Sequence, residues 1–297
     1  MMNYVVAIPL DRTLADFIGK GNDEGSIAFH NRKMDSDIIV GLQPSSIEEK
    51  FYAVAEVMLI SQQILISTAN IDKLFGEMLV ACSLLKKHVI FTDENDVAAF
   101  VAGVKLADFE ISPREELLQK ILSIKNQESS APVRVDLDHA FPVKGIGSVA
   151  LGIVTKGTLK VHDELHYSSG KMASVKSIQS QDVDVPSAGF GTRVGVALKG
   201  IEHSEIEKGD LLTKEKVAKT DSISATIEVS PMAKEEIAAG IRHLFVSNFS
   251  RATALIEKAE GSSITMKLER PIAVEKGDKF LLIREKSPRI FAIGTIL

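Results

Sequence analysis

Up to about Lys125, continuous apolar runs alternate with stretches in which apolar residues recur every three or four positions. Tyr4–Ile8 predicts a buried strand, with a short helix over Thr13–Phe17 after it. Gly19–Gly25 is polar and glycine-rich and reads as a turn. Strands are predicted at Ser26–His30 and Asp37–Val40. Ile47, Phe51, Val54, Met58 and Leu59 fall at helical spacing and predict a helix over Ile47–Ile60. A strand at Ile64–Ser67, a helix at Asp72–Leu85, a strand at His88–Phe91, a helix near Val97–Val104 and a short strand near Ala107–Ile111 follow. Ser112-Pro-Arg-Glu115 has the pattern of a capping box with proline at the first helical position, and predicts a helix to about Lys125. Strands alternating with helices imply a mostly parallel α/β sheet. Asn126–Pro132 reads as a linker, and after it the period changes. From Gly145 to Thr213 apolar and polar residues alternate, with Gly145, Gly147, Gly152 and Gly157 where the chain must bend, which predicts the short strands of a closed β-barrel. Ser224–Leu297 alternates likewise and predicts a second antiparallel barrel. The expected division is an α/β domain over 1–128, a barrel over 129–221 and a barrel over 222–297.

Composition narrows this picture without redirecting it. The 297 residues suffice for two or three domains, and 25% charged with 45% hydrophobic residues is ordinary for a globular chain. There is no apolar run long enough to span a bilayer and no signal peptide, since Met1–Leu10 leads straight into Asp11-Arg12; no membrane partner is expected, and a cytosolic location is the plain reading. The single cysteine, Cys82, lies in an apolar helical run and excludes an internal disulfide framework. A net charge of −5 speaks against wrapping nucleic acid, DNA included, but leaves room for RNA contact through a local basic patch.

The stretch beginning Gly145-Ile-Gly-Ser-Val-Ala-Leu-Gly-Ile-Val-Thr-Lys-Gly-Thr-Leu-Lys-Val-His-Asp-Glu resembles domain 2 of the translational GTPases of the elongation factor Tu class. It keeps that family's pattern except at His162, where glycine is usual, and the match continues through Val175–Gln179, Arg193-Val-Gly195, Lys199-Gly200 and Ile206–Leu212. The chain is similar to archaeal-type selenocysteine-specific factors (SelB) and to the gamma subunit of initiation factor two. Ala225–Val229, His243–Val246, Ile264–Ile272, Lys276–Leu282 and Ile293–Ile296 resemble domain 3 of the same family. The segment Pro44–Ile71 resembles its G domain without a gap. The resemblance implies a G domain followed by two β-barrels, and no further SelB domain is expected after Leu297, so selenocysteine decoding is not expected either.

The chemistry of a GTPase is not kept. A P-loop needs a glycine-rich turn whose amides wrap the phosphates, followed by Lys and Ser/Thr. Here the turn is Pro9-Leu-Asp-Arg-Thr13, with Asp11 and Arg12 where the motif's lysine and Mg-binding threonine would fall. Leu42 replaces the Mg-linked aspartate and Ser46 the water-positioning histidine. The first switch loop shrinks to Gly19–Gly25, and the guanine-reading motif lands on Asp93-Glu-Asn-Asp96, keeping only Asp96. The expectation is a degenerate G domain without GTPase activity and without a cofactor; a rebuilt nucleotide site using Arg12, Thr13 and Asp96, with GTP and Mg²⁺, stays open.

The resemblance also implies a site for the acceptor end of aminoacyl-tRNA on the first barrel. The position that reads the ribose hydroxyl falls on Gln179, whose carboxamide both donates and accepts. Two basic turns fall on Lys199-Gly200 and Lys208-Gly209, and Arg193 lies between them and Gln179 in the chain. No cysteine or carboxylate spacing accompanies His139, His162 and His166 as in a metal site, so these read as surface histidines. Asp93, Glu94 and Asp96 read as a capped acidic loop before the Val97 helix. The expected protein is a monomeric, elongation-factor-like binder of aminoacyl-tRNA, with the ribosome a further partner. An interaction scaffold on a ribosome or tRNA complex, and a divergent GTP-binding factor, are the alternatives.

Overall fold

The computed structural model describes residues 2–35, 37–47, 49–124 and 131–297. The expected α/β domain forms around one seven-stranded sheet. Its strands are β1 (Asn3–Ala7), β2 (Gly21–Glu24), β3 (Ile27–Met34), β4 (Asp37–Pro44), β5 (Gln63–Ile66), β6 (His88–Phe91) and β7 (Phe109–Ile111), in the order β2-β3-β4-β1-β5-β6-β7. The pairings from β4 to β7 are parallel, and β2 and β3 join antiparallel. Helices α1 (Arg12–Ile18) and α5 (Leu117–Ser123) cover one face, against Tyr4, Val6 and Ile8. Helices α2 (Phe51–Ile60), α3 (Lys73–Leu85) and α4 (Ala98–Val104) cover the other, against Val5 and Ala7. Both faces of β1 are thus buried, which is why its apolar run is unbroken.

The polar stretch Gly19–Gly25 is not a turn but the site of edge strand β2. A Cβ at Gly21 would sit 2.5 Å from Cε1 of His30, so this glycine serves close approach to β3 and not reversal of the chain. An edge strand needs only backbone partners on one side, so its polar sequence carried no strand signal. Helix α2 starts at Phe51, four positions later than its apolar spacing suggested, and Lys87 Nζ closes its far end on the carbonyls of Met58 (2.8 Å) and Leu59 (2.7 Å). The Ser112 capping box is not formed. Pro113 stays extended without a side-chain cap, Ser112 Oγ donates to the Pro113 carbonyl, and a 3₁₀ turn (Arg114–Glu116) leads into α5. Lys125 and residues 126–130 of the linker lie outside the described residues.

The first barrel comprises β8 (Arg134–Val143), β9 (Gly147–Lys156), β10 (Leu159–Lys160), β11 (Glu164–Tyr167), β12 (Met172–Ser180), β13 (Val183–Val185), β14 (Ser187–Ala188), β15 (Arg193–Lys199) and β16 (Leu211–Thr213). Strand β11 pairs with both β16 and β12, so β11-β16-β8-β9-β15-β12 close into a ring. The second, β17 (Lys219–Val229), β18 (Arg242–Ser247), β19 (Ser250–Glu260), β20 (Ser263–Ala273), β21 (Lys279–Ile283) and β22 (Ile290–Ile296), closes in the order β17-β20-β19-β18-β21-β22. His162 takes φ 72°, so the family's glycine position keeps its left-handed backbone with a non-glycine residue.

The three parts are tied together by buried charge. Arg134, 2% exposed, meets Asp136 in a two-pronged contact (2.9 Å each) and reaches across to Asp278 (2.7 Å) and Glu275 (2.9 Å) of the second barrel. The apolar face of α2 and α3 continues into Val246, Leu281, Ile283 and Ile293 of that barrel, with Glu77 of α3 paired to Arg289 at 2.7 Å.

Candidate functional site

Helix α2 packs on nearly every side, so Glu56 is carried into the interior and is fully buried. A lone carboxylate there would be expensive, and three elements meet it. Lys208 Nζ, from the turn before β16, lies 2.8 Å from Oε2, and Ser26 Oγ donates to the same oxygen at 3.1 Å. Arg251 of β19 lies 3.4 Å from Oε1, with its guanidinium 3.7 Å over the Tyr52 ring. Burial raises the Glu56 carboxyl above its ordinary value, with Lys208 and Arg251 pulling the other way. Gly209 makes the Lys208 turn feasible: its φ is +93°, and a Cβ would come 2.7 Å from Ser250 Cα.

Beside this node the first domain and both barrels line a cavity of about 460 Å³, walled by Lys50, Tyr52, Asp138, Leu151, Arg193, Lys208 and Arg251 among others. Arg193 Nη1 lies 2.7 Å from Asp138 Oδ2, and its guanidinium sits 4.2 Å over Phe29. Nη1 is buried and makes no hydrogen bond beyond this ion pair, and Asp138 Oδ1 is likewise buried and unpartnered among the described residues. The barrel surface runs on from Leu151 through its cross-strand neighbour Gly195 to Gln179, opposite Gly195 on β12. A Cβ at Gly195 would lie 3.4 Å from Leu151 Cδ2 and 4.0 Å from Gln179 Cβ, so these two side chains flank the glycine on one face of the barrel. Gln179 is exposed, its Nε2 donating to Asp184 Oδ1 at 2.9 Å.

Of the four residues expected at an acceptor end, Arg193 and Lys208 thus wall one cavity and Gln179 lies one strand beyond it. Lys199 does not join them. It is exposed opposite Ser174, four residues and so roughly 13 Å along β15 from Gly195. Lys208 is held by Glu56 instead of projecting freely. Glu56, Asp138 and Arg251 have no local signal: each lies in ordinary helix or strand sequence and gains its role from elements far away in the chain.

The three residues considered for a nucleotide lie along the carboxyl edge of the sheet but are not gathered around an open loop. Asp11 caps α1, its Oδ1 accepting from Thr13 N (2.8 Å), Thr13 Oγ1 (2.7 Å) and Leu14 N (3.2 Å). Burial alone would raise this carboxyl, but those hydrogen bonds and one from Ser67 hold it below its ordinary value. Its negative charge therefore occupies the amides that a P-loop would offer to phosphate. Arg12 and Thr13 are exposed on the first turn. Asp96 Oδ1 accepts from Ala98 N at 2.9 Å, at the start of α4. Glu94 and Asn95 are bound to Thr68 of the neighbouring strand end. Leu42 is fully buried in β4, and Ser46 Oγ accepts from Glu49 N at 3.4 Å.

Among the described residues no group of three or more His, Cys, Asp or Glu is placed to hold a metal ion, and no helix is long and apolar enough to cross a membrane. His139 and His162 are exposed; His166 is instead half-buried on β11 with Nδ1 unpartnered. Cys82 is buried, and burial pushes its thiol well above the ordinary range, leaving no thiolate for chemistry.

Residues 147–213 match the family described as elongation factor Tu domain 2. Over 290 residues the chain is 26% identical to uncharacterized protein MJ0325 of Methanocaldococcus jannaschii, covering 94% of each chain. It is 30% identical over 203 residues to the selenocysteine-specific elongation factor of the same organism, which takes in 59% of this chain and spans only 43% of that protein. Among solved structures, translation elongation factor SelB from Methanococcus maripaludis superposes with a TM-score of 0.79 at 20% identity. That superposition covers 99% of this chain and 79% of the other, and shows a shared fold.

Proposed function

The chain belongs to the SelB- and elongation-factor-Tu-like family of translational GTPases, and on that premise we propose that it binds the acceptor end of an aminoacyl-tRNA while its own GTPase chemistry has been lost. The observation that carries this reading is the interdomain cavity walled by Lys50, Arg193, Lys208 and Arg251, whose wall residue Leu151 lies opposite Gly195, itself opposite Gln179 on the next strand. A terminal ribose lying over Gly195 meets the Gln179 carboxamide, and the attached aminoacyl group enters the cavity. Arg193, held at the wall by Asp138 at 2.7 Å and by the Phe29 ring, supplies positive charge beside that group. Lys199 meets the strand further along the barrel.

Loss of hydrolysis is supported by the Asp11 cap, the buried Leu42 and the engaged Ser46. With Glu56 joined to Lys208 and Arg251, the three domains are held closed by contacts that owe nothing to a nucleotide. A protection assay tests the reading: the rate of ester hydrolysis of several aminoacyl-tRNAs with and without the protein, and with and without GTP. Protection indifferent to GTP is expected. No protection of any aminoacyl-tRNA refutes acceptor-end binding, and protection that requires GTP refutes the loss of nucleotide function.

A further inference from the structure

A second and larger cavity, about 990 Å³, opens between the start of α2 and the second barrel. It is separate from the cleft described above, sharing only Tyr52 with it. Its walls are layered. Arg289 lies 3.6 Å over the Phe51 ring, and Arg284 lies 4.8 Å over Phe291, whose ring stacks on His243 at 4.8 Å and an 8° tilt. Guanidinium planes backed by aromatic rings are surfaces on which a further planar ring stacks.

His243 is 7% exposed, lines the cavity, and its Nδ1 is buried with no hydrogen-bond partner among the described residues. A buried ring nitrogen left unpaired is costly unless something meets it. Burial, with Arg284 nearby, holds this imidazole below the ordinary histidine value, so at neutral pH it is neutral and offers one donor and one acceptor. The rim carries Arg242 and Lys286 but also Glu235, Glu236 and Glu285, so its charge does not select an anion. What the walls select is a flat ring with a polar edge. The volume, at the upper end of the range for small-molecule sites, admits a nucleoside.

We propose that this cavity binds a nucleobase, stacked on the arginine planes and hydrogen-bonded to His243 through its polar edge. The base comes either from a free nucleoside or from a single RNA strand. Either occupant touches both α2 and the second barrel, and so favours the closed arrangement.

The test is a titration of the full chain with adenosine, uridine and AMP, followed through the ¹³C and ¹⁵N resonances of the His243 imidazole. Saturable shifts at millimolar ligand are expected, with AMP and adenosine binding alike within a few-fold. His243→Phe keeps the stack on Phe291 but removes the ring nitrogens, and should weaken binding roughly tenfold. Lys144→Ala, exposed on the other barrel, should leave it unchanged. A short single-stranded oligoadenylate binding far more tightly than adenosine, with the same His243 shifts, identifies a strand as the source; binding no tighter identifies the free nucleoside. Should His243→Phe fail to fold, the parent titration decides alone. Unmoved His243 resonances with every ligand, or a folded His243→Phe that binds like the parent, overturns the proposal.

Discussion

Replacing Arg134 by Met should loosen the junction between the two barrels more than any single apolar truncation there. The guanidinium holds Asp136 in a two-pronged contact and also reaches Asp278 and Glu275, all from a residue 2% exposed. Met fills much of the volume but leaves Asp136, 1% exposed, and Asp278, 8% exposed, facing each other across the junction. Lys156, 3.6 Å from Asp278, and Asn248, 3.0 Å from Asp136, offset part of the loss. Removing one partner of a buried ionic cluster costs about 3–5 kcal/mol, because uncompensated charge remains in low dielectric. For the roughly 170 residues of the two barrels this lowers the midpoint of thermal unfolding by roughly 10 °C. Calorimetry and urea unfolding measure it, and the two barrels should begin to unfold in separate steps. Combining Arg134→Met with Asp136→Leu and Asp278→Leu should recover most of the loss, since the charges then leave together. A cost below about 1 kcal/mol for Arg134→Met, the scale of an exposed pair, would refute the reasoning.

Lys208→Ala should act first on stability, by about 3 kcal/mol, because it strips the nearest cation from a fully buried Glu56; adding Glu56→Leu should restore most of it, and additive losses in unfolding experiments would count against the pairing. Lys199→Ala should weaken aminoacyl-tRNA binding alike for all tRNAs and flatten its salt dependence by about one unit of slope, whereas Gln179→Leu should cost roughly 1–3 kcal/mol with the slope unchanged. A filter-binding salt series separates them, and identical slopes for parent and Lys199→Ala would remove Lys199 from the interface. For Asp136 and Glu275 burial alone would raise the carboxyls, but Arg134, with Lys156 at Glu275, holds both below their ordinary values of 3.8 and 4.5. Their stabilisation is therefore complete above those values and is lost as pH falls through the lower folded ones. Unfolding free energy should drop on acidification below about pH 4, and less steeply in the triple variant that replaces Arg134, Asp136 and Asp278 together. Calorimetry with GTP and Mg²⁺ should show no binding near micromolar, an affinity worth about 8 kcal/mol.

The periodicity of the chain by itself determined that helices alternate with buried strands before the linker and that only short alternating strands follow it. Both are local properties: burial on two faces demands an unbroken apolar strand such as Tyr4–Ile8, and burial on one face demands alternation such as Ser224–Val229. Glycines at the turns of Lys199-Gly200 and Lys208-Gly209 were legible for the same reason, since a left-handed backbone is a constraint on one residue, and both take positive φ. Strand β2 was hidden because an edge strand is held by its neighbour's backbone, which requires no apolar alternation in the sequence. Charge was the part that tertiary structure alone decided. Glu56 sits in a helix whose apolar spacing says nothing of its fate until Lys208, 152 positions on, and Arg251, 195 positions on, close over it. Arg134 and Asp136 look like two polar residues on a strand until β20 and β21 bring Glu275 and Asp278 to them through the turn that joins these strands. Whether a charge is a solvated face or the centre of a junction depends on desolvation, and desolvation is set by what packs around a residue and not by its neighbours in the chain.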